Sequence, residues 1–142
     1  MSEKFDRQRS FGWLINVVAN DAAKKLDTEL KKHGLTIALW PPLMCLWEAE
    51  GVTQREIAQK SKVENSTTTR TLDKLENLGL VERQVDPNSR RSFRIYLTDE
   101  GRALREKLLP IPVGINQDIL SSLESEERDE LIRLMQKLVA QV

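Results

Sequence analysis

Between Thr53 and Thr98 the chain alternates helix-starting and helix-stopping signals in an order that few small folds can accommodate. Thr53 followed three residues later by Glu56 is a capping box and predicts a helix start. Ile57 and Ala58 supply the buried side of that helix. Ser61-Lys62-Val63 is too short and polar for more than a turn. A second helix is expected from about Asn65 or Ser66, either of which can cap it. Leu72 and Leu75 form its apolar stripe, and Gly79 stands where a left-handed C-terminal cap belongs. Two helices joined by so short a turn make a helix-turn-helix, whose second helix commonly enters the DNA major groove.

The front of the second helix, Ser66, Thr67, Thr68, Thr69 and Arg70, is a poor choice for helix stability, because hydroxyl and β-branched side chains weaken a helix. It suits a helix whose first two turns face phosphates and base edges. Short hydroxyls donate to phosphate oxygens, and an arginine can take guanine O6 and N7 together. A hairpin follows. Val81 and Val85 alternate with polar neighbours, as do Phe93, Ile95 and Leu97, which predicts two strands sharing one apolar face. Between them, Asp86-Pro87-Asn88-Ser89-Arg90-Arg91-Ser92 places two arginines at an exposed tip that can reach an adjacent minor groove. The alternative is a solvated basic hairpin beside a purely structural helix pair. The order of helix, turn, polar helix front and arginine tip favours the DNA reading.

This segment resembles the winged helix-turn-helix of the MarR (multiple antibiotic resistance regulator) family. The resemblance is carried by Thr53-Gln54, Glu56-Ile57-Ala58, Thr67-Thr68-Thr69-Arg70, Leu75-Glu76 and Gly79-Leu80-Val81-Glu82-Arg83. The wing from Asp86-Pro87 to Arg90-Arg91 and the exit Leu97-Thr98-Asp99-Glu100-Gly101 complete it. Two positions depart from the pattern: Thr68 where an aliphatic residue is usual, and Ser89 where the wing usually has an aspartate. The second departure implies looser bracing of the wing arginines. The resemblance implies a repressor, or in some members an activator, relieved by small aromatic or phenolic ligands or by cysteine oxidation.

Outside the centre, residues 8–32 predict an amphipathic helix with Phe11, Leu14, Ile15, Val18, Ala22, Leu26 and Leu30 on one face, closed by His33-Gly34. Pro41 and Pro42 move the next helix start to about Trp40, with Pro41 in its first turn and an end at Glu50-Gly51. Leu43, Leu46 and Trp47 are then expected beneath the helix-turn-helix. Thr98 caps a helix expected to run to about Leu120, with a kink or break at Pro110, Pro112 and Gly114. A last helix from about Glu124 carries Leu131, Leu134, Met135, Leu138, Val139 and Val142. The terminal helices, 8–34 and 102–142, have apolar stripes that the winged region, 35–101, does not need. Such stripes mark a partner surface, and a homodimer would set two recognition helices about one DNA turn apart on a pseudo-palindrome. A self-contained helical monomer is the alternative. The expected class is mainly α with a small β-hairpin (α+β), in a single domain of 142 residues.

The 22 basic and 22 acidic residues balance, so bulk charge does not point to nucleic acid, but placement does. Residues 53–98 hold nine Lys/Arg against six Asp/Glu, with Arg70, Lys74, Arg90 and Arg91 on the expected DNA face. The expected contacts are Asn65, Ser66, Thr67, Thr69, Arg70 and Lys74 at the major groove, Gln54 at the phosphate backbone, and Arg90 with Arg91 in the minor groove.

For an effector, the resemblance implies a pocket where dimerisation helices meet the winged region. Trp13, Trp40 and Met44, with His33 nearby, are the candidates, and each fits ordinary core as well. Cys45 has no second cysteine in the chain and no cationic neighbour in sequence, which favours an inert thiol over a redox sensor. One histidine and one cysteine make a poor metal set, so neither metal nor cofactor is expected. The six glycines form no phosphate-cradling loop, and no base-nucleophile pair is evident, so an enzyme is not expected. A winged-helix adaptor that has lost DNA binding is disfavoured because Arg70, Arg90 and Arg91 are intact. No signal peptide or membrane span is visible, and a lone cysteine fits a reducing cytoplasm.

Overall fold

The computed structural model describes residues 4–142. It contains seven α-helices, α1 (Phe11–Lys31), α2 (Trp40–Glu48), α3 (Gln54–Ser61), α4 (Asn65–Asn77), α5 (Asp99–Leu108), α6 (Pro110–Ile119) and α7 (Ser125–Val139). Three strands, β1 (Val52–Thr53), β2 (Val81–Asp86) and β3 (Ser89–Leu97), form an antiparallel sheet in the order β1-β3-β2. The chain divides into two compact units. One is Gly34–Pro110; the other joins the segment ending at His33 to Ile111–Val142.

The Gly34–Pro110 unit is the winged helix. Its α2 packs on α3 and β3, and α3 packs on α4. Leu43, Leu46, Ile57, Leu72, Leu75 and Ile95 are all buried to 1 % exposure or less. Removing that much aliphatic surface from water is what holds helices this short in place. Thr53 caps α3 as expected, its hydroxyl accepting from Glu56 N at 3.2 Å. Lys62 takes the left-handed conformation that closes α3, and Gly79 does the same beyond α4. Trp40 opens α2 with Pro41 and Pro42 in its first turn, where the missing N–H groups cost nothing. Trp47 is half-buried rather than core, with its indole N–H donated to Gly101 O at 3.0 Å. Gly101 is required by close approach, since a Cβ there would sit 2.1 Å from Leu80 O.

Several expectations need correction. The helix expected from residue 8 begins at Phe11, because Asp6 and then Ser10 act as successive caps and leave a short 3-10 turn at Arg7–Arg9. The sheet has three strands, not two: Val52 and Thr53 pair with Ile95 and Arg94. Neither Asn65 nor Ser66 caps α4; Glu64 occupies the cap position in extended backbone, without a side-chain bond. The hairpin does not keep one apolar face throughout. Val81, Ile95 and Leu97 are buried, but Val85 and its cross-strand partner Phe93 are exposed where the ribbon leaves the core.

In the other unit, α1 and α6 are tied by Lys25, which pairs with Asp21 at 3.0 Å and Asp118 at 3.3 Å. α7 opens with a reciprocal capping box between Glu124 and Glu127. The helical run after Thr98 does break before Pro110, giving α5 and α6. Phe11, Leu14, Val17 and Val18 of α1, and Leu131, Ile132, Leu134, Leu138 and Val139 of α7, remain exposed.

Candidate nucleic-acid interface

The geometry of α4 sorts its residues onto two faces. Thr68, Thr71, Leu72 and Leu75, spaced three or four apart, turn inward. Thr68 therefore belongs to the core rather than to the polar front, at 2 % exposure. Its hydroxyl donates to Glu64 O at 3.0 Å, and that of Thr71 to Thr68 O at 3.0 Å. A threonine can thus stand in an aliphatic position, because its own helix satisfies its oxygen. Asn65, Ser66, Arg70 and Lys74 are exposed on the outer face, with Thr67 and Thr69 half-exposed beside them.

Gln54, the first residue of α3, lies across the start of α4. Its amide nitrogen donates to Asn65 Oδ1 at 3.4 Å and to Thr69 Oγ1. The Thr69 hydroxyl in turn donates to Asn65 O at 3.0 Å.

The wing is braced from within. Asp86, at 8 % exposure, accepts from Asn88 N at 3.0 Å, from Arg94 Nε at 3.3 Å and from Ser92 Oγ at 3.3 Å. The turn amide, and after it the Arg94 guanidinium, hold the carboxyl below the usual carboxylate range against the opposing effect of burial. Arg94 also donates to Gly51 O at 2.8 Å, which ties the hairpin back to the segment before β1. Ser89, the unusual wing residue, accepts from Arg91 N at 3.3 Å. Asp86 thus ties the wing together through Asn88, Ser92 and Arg94, and Arg90 and Arg91 stand exposed at the tip. A cleft of about 380 Å3 between α3, α4 and the wing is lined by Gln54, Arg55, Asn65, Arg91, Ser92 and Phe93.

At the root of the wing, Arg83 pairs with Asp73 at 2.8 Å and Glu76 at 3.5 Å, and donates to Thr69 O at 3.3 Å. Behind it, Glu50 takes Arg102 with both carboxylate oxygens and Leu97 N with one. Arg102 first, and Leu97 N besides, lower the Glu50 pKa. The sequence shows no structural role for Arg83 or Asp86, since the partners of Arg83 lie on another element and those of Asp86 at spacings of two, six and eight follow no strand or helix period.

Residues 35–93 match the model of the MarR family. The chain carries a MarR-family domain. Likeness to MarR proteins extends over nearly the full length. An HTH-type transcriptional regulator, BilQ, from Clostridium symbiosum is 27% identical over 131 residues, 92% of this chain and 91% of that protein. A mutant E. coli MarR complexed with operator DNA superposes with a TM-score of 0.85 at 28% identity, covering 96% of this chain and 99% of that one. The S. aureus MepR–DNA complex gives 0.85 at 25% identity, covering 94% and 98%. The mostly helical architecture with a small antiparallel sheet is that of MarR winged-helix structures.

The candidate effector residues fall in both units. In one, Trp13 lies under the Arg7 guanidinium, 4.5 Å from ring centroid, and His33 is exposed just beyond α1. In the other, Trp40 is buried edge-on to Trp47, with centroids 5.5 Å apart, and Met44 is exposed. A groove of about 560 Å3 between α1 and α6 is lined instead by Lys24, Lys25, Thr28, Ile111 and Ile115, among others. Cys45 is buried, and burial, with Glu48 adding to it, pushes its thiol pKa up. Among the described residues no cluster of His, Cys, Asp and Glu could hold a metal, and no helix is long and apolar enough to cross a membrane.

Proposed function

We propose that this chain is a homodimeric, sequence-specific DNA-binding transcriptional regulator, acting as a repressor that a small aromatic or phenolic ligand releases. The observation that carries the DNA reading is the shared exposure of Ser66, Arg70 and Lys74 on one face of α4 and of Arg90 and Arg91 on a wing fastened to that helix. Guanidinium and ammonium groups on a rigid frame can neutralise phosphates and reach base edges together. The relatives solved on DNA support the same use of the fold. The exposed apolar residues of α1 and α7 support a second copy as the partner, which would give two recognition helices for a pseudo-palindromic operator.

In the ligand step, an effector that binds better to a helix spacing unsuited to DNA shifts the dimer into that state. The proposed contacts are Trp13 and His33 in the helical unit, or Trp40 and Met44 in the winged one. The raised pKa of Cys45 favours this reading over release by oxidation. Fluorescence anisotropy on labelled DNA from upstream of its own coding sequence, with small aromatic acids and phenols added in turn, tests the whole reading. Tight binding abolished by at least one compound supports it. Binding no stronger than to random competitor refutes the DNA function, and binding that every compound leaves unchanged refutes the effector step.

A further inference from the structure

The pairing of Val52 with Ile95 and of Thr53 with Arg94, carried two residues back, sets Glu50 opposite Leu97. Gly51 N still donates to Ile95 O at 2.8 Å. At Glu50 the side chain replaces the main chain in the ladder, and its Oε1 accepts from Leu97 N at 2.8 Å. The same carboxylate holds α5. Its two oxygens receive Arg102 Nε at 2.9 Å and Nη2 at 3.0 Å, a fork that engages only when both bonds line up. Arg102 Nη1 is kept in place by Asp99 Oδ1 at 3.0 Å. One residue on, Gly51 O receives Arg94 Nη1 at 2.8 Å, while Arg94 Nε meets Asp86 at 3.3 Å. Every donor along this path is an N–H and every acceptor a carboxylate or carbonyl oxygen, so the direction of each bond is settled. The corner at Glu50 and Gly51 therefore grips α5 on one side and the wing on the other. α5 is also where the chain leaves the winged unit, passing Leu109 and Pro110 into the helical one.

We infer that Glu50 is a positioning residue for the wing: it fixes α5 to the sheet at Leu97, and through Gly51 it sets where Arg94 and Asp86 hold Arg90 and Arg91. This rests on the DNA reading proposed above and gives it a route for regulation. Whatever displaces α5 breaks the Arg102 fork and slackens the wing, weakening its hold on the minor groove while the reading helix stays in place.

The test is a double-mutant cycle on the full chain, with Glu50→Gln, Arg90→Ala and the double variant titrated against the best-bound duplex at several salt concentrations. Glu50→Gln keeps an oxygen for Leu97 N and loses the charge that Arg102 grips. On charge alone, deleting a carboxylate strengthens the binding of DNA. The positioning role reverses that sign. Affinity is expected to fall about tenfold, with the salt slope reduced by about one charge and no further loss in the Arg90→Ala background. Without DNA, amide exchange from Asn88 to Ser92 is expected to quicken while that of α4 holds. Arg102→Gln, on an exposed side chain, is expected to give the same pattern and decides if Glu50→Gln does not fold. Unaltered or tighter binding by Glu50→Gln, or a loss that adds in full to that of Arg90→Ala, would overturn the inference. A parent protein with no base preference would instead refute the DNA reading; wing exchange equal to the parent's would then still overturn the junction.

Discussion

Arg83 on β2 donates to the main-chain carbonyl oxygen of Thr69 at 3.3 Å, so the root of the wing is fastened near the middle of the reading helix. Its guanidinium also meets Asp73 and Glu76 on α4, and the side chain is only 15% exposed. Hydrogen bonds to charged groups at that depth are stronger than surface pairs. Wing and helix thus present their cations as one rigid body.

Arg83→Ala should therefore act on fold and binding together. Chemical denaturation is expected to show a loss of about 1–3 kcal/mol, and DNA affinity should fall although Arg83 is not an expected base or phosphate contact. Unaltered affinity at full occupancy of the folded state would show that wing and helix are positioned separately.

The Asp86 brace makes the wing sensitive to acid. Its folded pKa lies below the usual carboxylate value, through Asn88 N first and the Arg94 guanidinium next. The stabilisation is therefore fully present above about pH 4 and is lost as pH falls through the lowered folded value. Glu50 titrates in the same direction through Arg102. Urea midpoints of the parent and Asp86→Asn should differ at neutral pH and converge in strong acid. A gap constant across the whole range would mean that the charge of Asp86 contributes nothing.

The junction of α5 with the sheet should tolerate no side chain at Gly101. With Leu80 O only 2.1 Å from an added Cβ, Gly101→Ala is expected to destabilise by about 3 kcal/mol in urea unfolding. The variant should not be rescued by a smaller residue at Leu97, because the obstacle is backbone. A parent-like midpoint would show that α5 can shift at no cost.

Arg70 and Arg90 should fail in different ways. Arg70→Ala is expected to cost about 1–3 kcal/mol on the preferred duplex and to relax base choice, as loss of a guanine contact would. Arg90→Ala should weaken all duplexes and reduce the salt slope by about one charge. Titrations at several salt concentrations separate the two. Identical behaviour of the variants would remove the division between reading helix and wing.

Much of the frame was legible in the sequence because it rests on local chemistry. Thr53, Gly79, Pro41 and Thr98 each act on their own neighbours, and each sits where those rules put it. What was not legible depends on distant partners. β1 is two residues long and exists only because β3 passes beside it, so no alternation could reveal it. Val85 fits the strand pattern but lies beyond the core, and pattern alone does not tell where a ribbon leaves its support. Asp86 looked like a turn residue, yet its carboxylate is a hub for Asn88, Ser92 and Arg94. The polar front of α4 is exposed at Asn65, Ser66 and Arg70, but Thr68 turns inward, where helix phase outweighs polarity.

A paired chain that chooses its DNA is the central claim. Repeated selection from a random duplex pool, followed by the mass of the resulting complex in sedimentation, measures both. The expected result is an enriched sequence with two related half-sites centred about one helical turn apart, carrying two chains. A pool that stays random through successive rounds, or a complex with a single chain on a single half-site, would contradict it.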